Sequence, residues 1–279
     1  MRLLADRAAR YLHRFCVARS AILFLIICSP FWVTRAQQPF ITDDTDVTPK
    51  HKFHFEFSNE FDVLQRSSFP NLKQNTADAE LDYGLFNNFE VGIEGPLLTI
   101  VSDRSAPLPR AMGIGDINLS FKYNFLRERE GARHPAMAIT FNYEMPTGDV
   151  SRQLGSGLSD FYVNGVIQKS LTPKTKLRLN GGILFSGNET TGVIGIKSRG
   201  LVLTAGGSLV RQFTQKLDLG VEVTGAVTRN LNLGKGQLQF MFGGNYSLNK
   251  KMTFDFGFVA GRYVASPRAG VQFGVSVDF

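Results

Sequence analysis

The chain has 279 residues and a formal net charge of +7, with 31 Lys and Arg against 24 Asp and Glu. Six of these basic residues and one acidic residue lie in the first 36 positions, which leaves 25 and 23, a net charge of +2, for the remainder. So small an excess gives no electrostatic basis for binding nucleic acid, and we expect no nucleic-acid partner. Cys16 and Cys28 lie in the same N-terminal stretch, which excludes disulfides and thiolate chemistry from the rest of the chain.

Residues 1–36 have the pattern of a cleaved signal peptide. Five arginines precede the apolar run 21–33, and Thr34-Arg35-Ala36 supplies small residues at the two positions that determine cleavage. The apolar run contains a proline and is shorter than the roughly 20 residues that a membrane-spanning helix needs. We therefore predict export and a mature chain from Gln37, and the alternative is an uncleaved anchor helix.

Residues 37–49 form a polar segment that we predict to lie on the periplasmic side, ahead of a domain that spans residues 50–279. The alternative is that a loop, or the acidic segment Gln37 to Lys50, folds into the domain as a plug. Asp43, Asp44 and Asp46 could touch calcium, but no glycine turn or distal glutamate completes a calcium-binding loop. His51 and His54 point to opposite faces of a strand, which makes them a poor metal pair, so we expect no metal and no cofactor.

The rest of the chain alternates apolar and polar residues with a period of two. Phe53, Phe55 and Phe57 lie on one face of the first run, with His54 and Glu56 on the other. A strand sends successive side chains to opposite faces, so each run is a strand with one apolar face. Twelve such runs occur, near residues 53–63, 81–85, 89–93, 117–125, 137–145, 161–167, 177–185, 201–209, 217–227, 238–246, 252–258 and 271–279.

The connections between these strands alternate in length. Short links are predicted near 87–88, 172–174, 214–216 and 249–251, with a longer one near 127–134. They alternate with longer segments near 64–76, 101–112, 147–157, 187–199 and 228–236, and with a short one near 263–268.

Short turns at one end, long loops at the other and an even strand count are typical of an outer-membrane barrel. We therefore predict an all-β fold, a single antiparallel up-and-down transmembrane β-barrel of about 12 strands with both termini on the periplasmic side. A soluble β-sandwich is the alternative, but most runs are longer than the usual strand of such a fold. Only a closed barrel spans lipid with every strand edge paired.

Two resemblances extend this interpretation. The final strand, ending at Phe279, is similar to the C-terminal signal that the outer-membrane assembly machinery recognises in its clients, which implies that machinery as a partner. The segments Gly113 to Leu126, Tyr143 to Asp149 and Gly155 to Leu171 resemble the exported barrel family assigned to transport in the meta-pathway of phenol degradation. This second resemblance implies a Gram-negative, porin-like channel or transporter for aromatic or other hydrophobic compounds.

The inward phase of the strands carries the candidate functional residues. It holds twelve acidic residues and three basic ones, so we predict an acidic lumen that disfavours anions and passes cations or neutral solutes. The alternative is that these acids only solvate the lumen or pair across strands. Glycines on the same face either widen the lumen or accommodate curvature. The predicted pore-lining residues are Glu56, Glu60, Glu80, Asp82, Glu94, Asp116, Lys122, Glu144, Arg178, Glu222 and Asp255.

From these patterns we predict a channel or passive transporter for small, aromatic or hydrophobic solutes. Its expected partners are outer-membrane lipid, the assembly machinery and a small-molecule solute. No nucleophile motif accompanies the histidines, so we do not predict an enzyme; a barrel hydrolase is a further alternative. The remaining alternative is a structural or adhesive barrel, with Phe69 and Leu72 as exposed anchors on a loop.

Overall fold

The structure, a computed structural model, describes residues 39–129, 131, 133–186, 200–228 and 236–279. The predicted signal peptide lies outside these residues and stays a prediction. Among the described residues there is no helix long and apolar enough to cross a membrane. The strands are β1 (Phe53–Val63), β2 (Asn71–Phe86), β3 (Phe89–Ser102), β4 (Arg110–Ile114), β5 (Ile117–Leu126), β6 (Ala136–Met145), β7 (Asp160–Thr172), β8 (Thr175–Ser186), β9 (Gly200–Gln212), β10 (Leu217–Thr228), β11 (Gln237–Ser247), β12 (Met252–Arg262) and β13 (Ala269–Asp278).

The sheet closes on itself between the first and last strands. All pairings between these strands are antiparallel, and β1 pairs with β2 on one side and with β13 on the other. At the end of this seam the backbone N–H of Phe53 donates to the Phe279 carbonyl at 2.9 Å, and the N–H of Phe279 donates to the Phe53 carbonyl at 3.0 Å. The regular alternation up to Phe279 is thus explained by its place in the closing seam.

The barrel wall has twelve strand positions, as the sequence predicted, because β4 and β5 together form one interrupted strand. Both pair with β3, β4 with its second half and β5 with its first half. Pro96 of β3 lies opposite the break, and its missing N–H cannot contribute to the ladder. The N–H of Gly115 instead donates to the Pro96 carbonyl at 2.8 Å, which bridges the irregularity.

The two faces of the sheet have opposite polarity, with apolar side chains outside. On β1 Phe57 is 44% exposed, whereas its neighbours Glu56 and Ser58 are buried inside the barrel. The same alternation places Val223 outside and Glu222 inside on β10. A soluble sandwich buries its apolar face, so that alternative is wrong and the fold is a transmembrane barrel.

Two connections are shorter than the sequence predicted. The sequence predicts a loop over 64–76, but β2 already begins at Asn71. Polar side chains extend the pairing there, since the Asn75 amide donates to Asn59 Oδ1 at 2.8 Å. Likewise, only 103–109 of the predicted loop 101–112 lie outside strands. Without an apolar alternation, such strand extensions give no period-two signal in the sequence.

The remaining connections follow the predicted alternation where they are described. We call the end of the barrel with the short connections, such as 173–174 and 248–251, the turn end, and the opposite end the loop end. The connection 146–159 is one of the long ones and contains the short 3-10 helix Val150–Arg152. The predicted loop 187–199, and 228–236 apart from its two end residues, lie outside the described residues.

The outward position of Val223, in the middle of β10 and 51% exposed, predicts a strong effect of charge. Replacing it with arginine should reduce the free energy of unfolding by about 2–4 kcal/mol, because a cation near the bilayer midplane loses hydration. Urea titration of refolded protein in lipid vesicles measures the change. The control is Leu217→Arg at the strand end, with an expected cost of about 0–1 kcal/mol. Equal costs for the two variants would contradict a membrane-spanning position for β10.

Candidate functional site

The N-terminal segment 39–50 lies inside the barrel. Thr45 is completely buried and Thr42 is 1% exposed. The backbone N–H groups of Ile41 and Thr42 donate to the two carboxylate oxygens of Glu222 at 3.1 and 2.5 Å. For the described residues, the periplasmic position predicted for this segment is therefore corrected, and its alternative, a plug, is what the structure contains. We call residues 39–50 the plug.

Ion pairs with the inward basic residues of the wall hold the plug in place. Lys122 Nζ lies 2.8 Å from Asp43 Oδ1 and 3.2 Å from Glu90 Oε1. Arg178 Nη2 lies 3.2 Å from Asp44 Oδ2. Burial alone would raise the pKa of Asp44, but Arg178 and then Lys122 outweigh it and hold that pKa below its usual value. The predicted pore bases Lys122 and Arg178 are thus occupied by plug carboxylates.

Glycines of the wall make room for the first residues of the plug. A Cβ on Gly220 would lie 2.7 Å from Cζ of Phe40, and one on Gly243 would lie 2.7 Å from Cγ of Pro39. Phe40 packs in a buried apolar cluster with Met241 and Val259. At these two positions the lumen glycines therefore serve close packing of the plug, a role that the sequence alone did not suggest.

Four of the predicted pore residues fall into one continuous row across the sheet. Cross-strand partners run from Glu56 to Glu80 and from Glu80 to Glu94. The row continues through Asn118, whose amide donates to Glu94 Oε2 at 3.1 Å. It rises from near the turn end of β1 to the loop end of β7. We call it the acidic row, with the members Glu56, Glu80, Glu94, Asn118, Glu144 and Asp160.

The other predicted pore residues lie outside this row. Asp82 is buried opposite Gly92, and Asp255 is buried and accepts from the Asn245 amide at 2.5 Å. Glu60 is half-buried opposite Thr76. These residues share the inward face without joining the row.

Asp116, in the break between β4 and β5, holds the connection 146–159. Its two carboxylate oxygens accept from the backbone N–H groups of Gly148 and Ser156 at 2.8 and 3.0 Å. Leu154 of this connection is buried against Leu98 of β3, in a cluster that also contains Ile100 and Ala111. The connection therefore folds onto the inner wall and narrows the loop end.

Two cavities lie on either side of the plug. The first, of about 280 Å³ toward the loop end, is lined by Ile41 and Thr42 of the plug and by Glu144 and Asp160 of the wall. The second, of about 660 Å³ at the turn end, is lined by Thr45, Asp46 and Val47 of the plug. Its wall carries the basic residues Arg127, Arg129, Lys169 and Lys176. The plug thus separates an acidic cavity from a largely basic one.

His54 lies at the barrel seam. Its two ring nitrogens lie 2.6 Å from Asp278 Oδ1 and 2.8 Å from Glu56 Oε1. It therefore ties β1 to β13. In the part of the chain that the structure describes, no three His, Cys, Asp or Glu side chains converge as metal ligands would.

Solved structures share this barrel at low sequence identity. An outer membrane channel from Pseudomonas putida F1 matches with a TM-score of 0.63 at 14% identity, over 85% of this chain and 98% of that chain. The NanC porin gives 0.55 at 9% identity, over 81% and 98%. The translocator domain of the autotransporter NalP from Neisseria meningitidis gives 0.54 at 10% identity, over 84% and 91%. These proteins differ in what they are named for, so the likeness shows the fold alone.

Sequence comparison adds the family. No curated protein matches the chain. One family model, described as "Putative MetA-pathway of phenol degradation", matches residues 84–279, which is well over half of the chain and includes the motifs singled out in the sequence. The chain therefore belongs to this family.

Proposed function

We propose that the protein is a channel of the Gram-negative outer membrane for the passive movement of small solutes. The observation that carries this proposal is the pair of cavities inside one closed barrel, with a polar wall running between them. Export by the signal peptide, and insertion by the assembly machinery with Phe279 as its signal, belong to the same proposal. The turn end then faces the periplasm.

The plug acts as the gate of this channel. Its residues form the floor of one cavity and part of the wall of the other, so a solute crossing the barrel must pass it. Three wall residues hold it. Glu222 accepts backbone hydrogen bonds from the plug, and Lys122 and Arg178 form ion pairs with its carboxylates. Such contacts can be exchanged for water or for a solute when the segment moves, whereas the wall stays closed because every strand position is hydrogen-bonded to a neighbour on both sides.

The acidic row gives the channel its preference among solutes. Its carboxylates favour cations and neutral molecules over anions, because a single sign of charge in a narrow, low-dielectric passage concentrates counter-ions. The family description points to phenol degradation, which fits small aromatic solutes as the class carried. An enzymatic role has no comparable support in the lumen.

An adhesive barrel is the second candidate. Phe69, 63% exposed on the connection 64–70, is its best-placed anchor, with Leu72 nearby. Two side chains supply much less surface area than a stable protein interface buries. The channel is therefore the function that the geometry supports best.

Ion selectivity tests the channel. In a planar bilayer under a salt gradient, the refolded protein should prefer cations. Changing Glu80, Glu94 and Glu144 together to glutamine should lower the cation-to-anion permeability ratio several-fold. The control is Asp103→Asn, which removes a half-exposed carboxylate of the connection 103–109, outside the strands. An anion-selective pore, or equal ratios for both variants, would refute the role of the acidic row.

Labelling of the plug tests the gate. Thr45 is completely buried, so a cysteine there should react slowly with a water-soluble maleimide, with Cys16 and Cys28 changed to serine. Asp43→Asn with Asp44→Asn should speed labelling at least about tenfold, since breaking buried ion pairs costs about 3–5 kcal/mol.

The same pair of substitutions should raise the mean conductance. Asp103→Asn in the Thr45→Cys background serves again as the control and should change neither quantity. Fast labelling of the Thr45→Cys variant with Asp43 and Asp44 intact would show that the segment does not occupy the lumen.

A further inference from the structure

The cavity toward the loop end has an acidic side and an apolar side. Glu144 and Asp160 line the first, and Ile41, Leu184 and Tyr162 contribute to the second. None of the described residues that line it is a lysine or an arginine. The site therefore presents negative charge beside a hydrophobic surface, which suits a ligand with a cationic head and an apolar body.

Two oxygens at this cavity lack a partner within the described structure. They are Thr224 Oγ1, on a residue that is 7% exposed, and Asn118 Oδ1. A buried polar atom without a hydrogen bond is costly, so these atoms favour a partner that occupies the cavity. The Asn118 oxygen can only accept, and a threonine hydroxyl can accept as well as donate, so a partner with N–H donors satisfies both.

The charges of the wall also favour a cationic ligand. Glu144 and Asp160 are direct cross-strand partners, and like charges in that position destabilise a sheet. The two inward bases nearest the plug, Lys122 and Arg178, are already paired with plug carboxylates. A cation entering the cavity would relieve the repulsion between Glu144 and Asp160 without disturbing those pairs.

We propose that this cavity binds small organic ammonium ions. The ammonium group lies between the carboxylates of Glu144 and Asp160, donates to the unpaired oxygens, and leaves the apolar body against Ile41, Leu184 and Tyr162. A volume of about 280 Å³ holds on the order of ten non-hydrogen atoms, since a water molecule takes about 30 Å³. This inference rests on the proposed channel function and names the class of solute that the channel selects.

Calorimetric titration of the refolded protein with three ring compounds of similar size tests the site. Benzylammonium should bind at least tenfold more tightly than benzyl alcohol, and benzoate should not bind. Glu144→Gln with Asp160→Asn should weaken benzylammonium binding at least tenfold. Asp103→Asn, which changes a carboxylate outside the barrel, should leave it unchanged. Equal binding of the amine and the alcohol would overturn the proposal.

A second, milder variant tests the site in case the double carboxylate variant does not fold. Thr224→Val removes an unpaired hydroxyl while keeping the side-chain shape, and it should weaken benzylammonium binding several-fold with unchanged circular dichroism. Unchanged binding in both Thr224→Val and the double carboxylate variant would place the ligand elsewhere and overturn the site.

Bilayer recordings separate this proposal from the channel itself. Benzylammonium should block the potassium current of the intact protein, and the Glu144→Gln with Asp160→Asn variant should lose the block. A current without block or binding overturns the ammonium site and leaves the channel standing. Binding to a folded protein that never conducts overturns the channel and supports the site.

Discussion

The structure depends on one constraint, that a backbone inside a membrane has no water with which to pair. Each strand must therefore have a neighbour on both sides, and the last strand must return to the first. The contacts between Phe53 and Phe279 at the end of the β1–β13 seam meet this requirement. Once the sheet is closed, alternate side chains must face either lipid or lumen. The outward Phe57 and the inward Glu56 beside it are direct results of that closure.

A closed barrel of this size leaves an interior that the wall side chains do not fill, and the plug occupies part of it. Lys122 forms one close ion pair on the wall, with Glu90, but both Lys122 and Arg178 are buried and need further counter-charges. Asp43 and Asp44 supply them. Buried charges are tolerable only when paired, so wall and plug stabilise each other. In the proposed channel, these same contacts are the ones that must open.

The acidic row breaks the usual preference for opposite charges across neighbouring strands. Glu56 faces Glu80, Glu80 faces Glu94, and Glu144 faces Asp160. Natural sequences depart from such local rules mainly at functional positions. At Glu144 and Asp160 the departure coincides with a cavity whose unpaired oxygens can accept from a donor, which connects the stability cost of this pair to the solute that it would recognise.

The sequence by itself indicated the strands and their number, because a period of two is a local property that the side chains display directly. The family came from short motifs that resemble it, not from the periodicity. Even so, the sequence left Asn71 and its polar neighbours in a loop, since no apolar alternation marks them. Only the tertiary structure decided which lumen residues meet. Alternation fixes the face of Glu94 or Glu144 but not its neighbour, which depends on the register of every strand around the closed sheet. Whether residues 37–50 stayed outside or formed a plug was equally undecided, because contacts such as that between Asp43 and Lys122 join distant parts of the chain and leave no periodic trace.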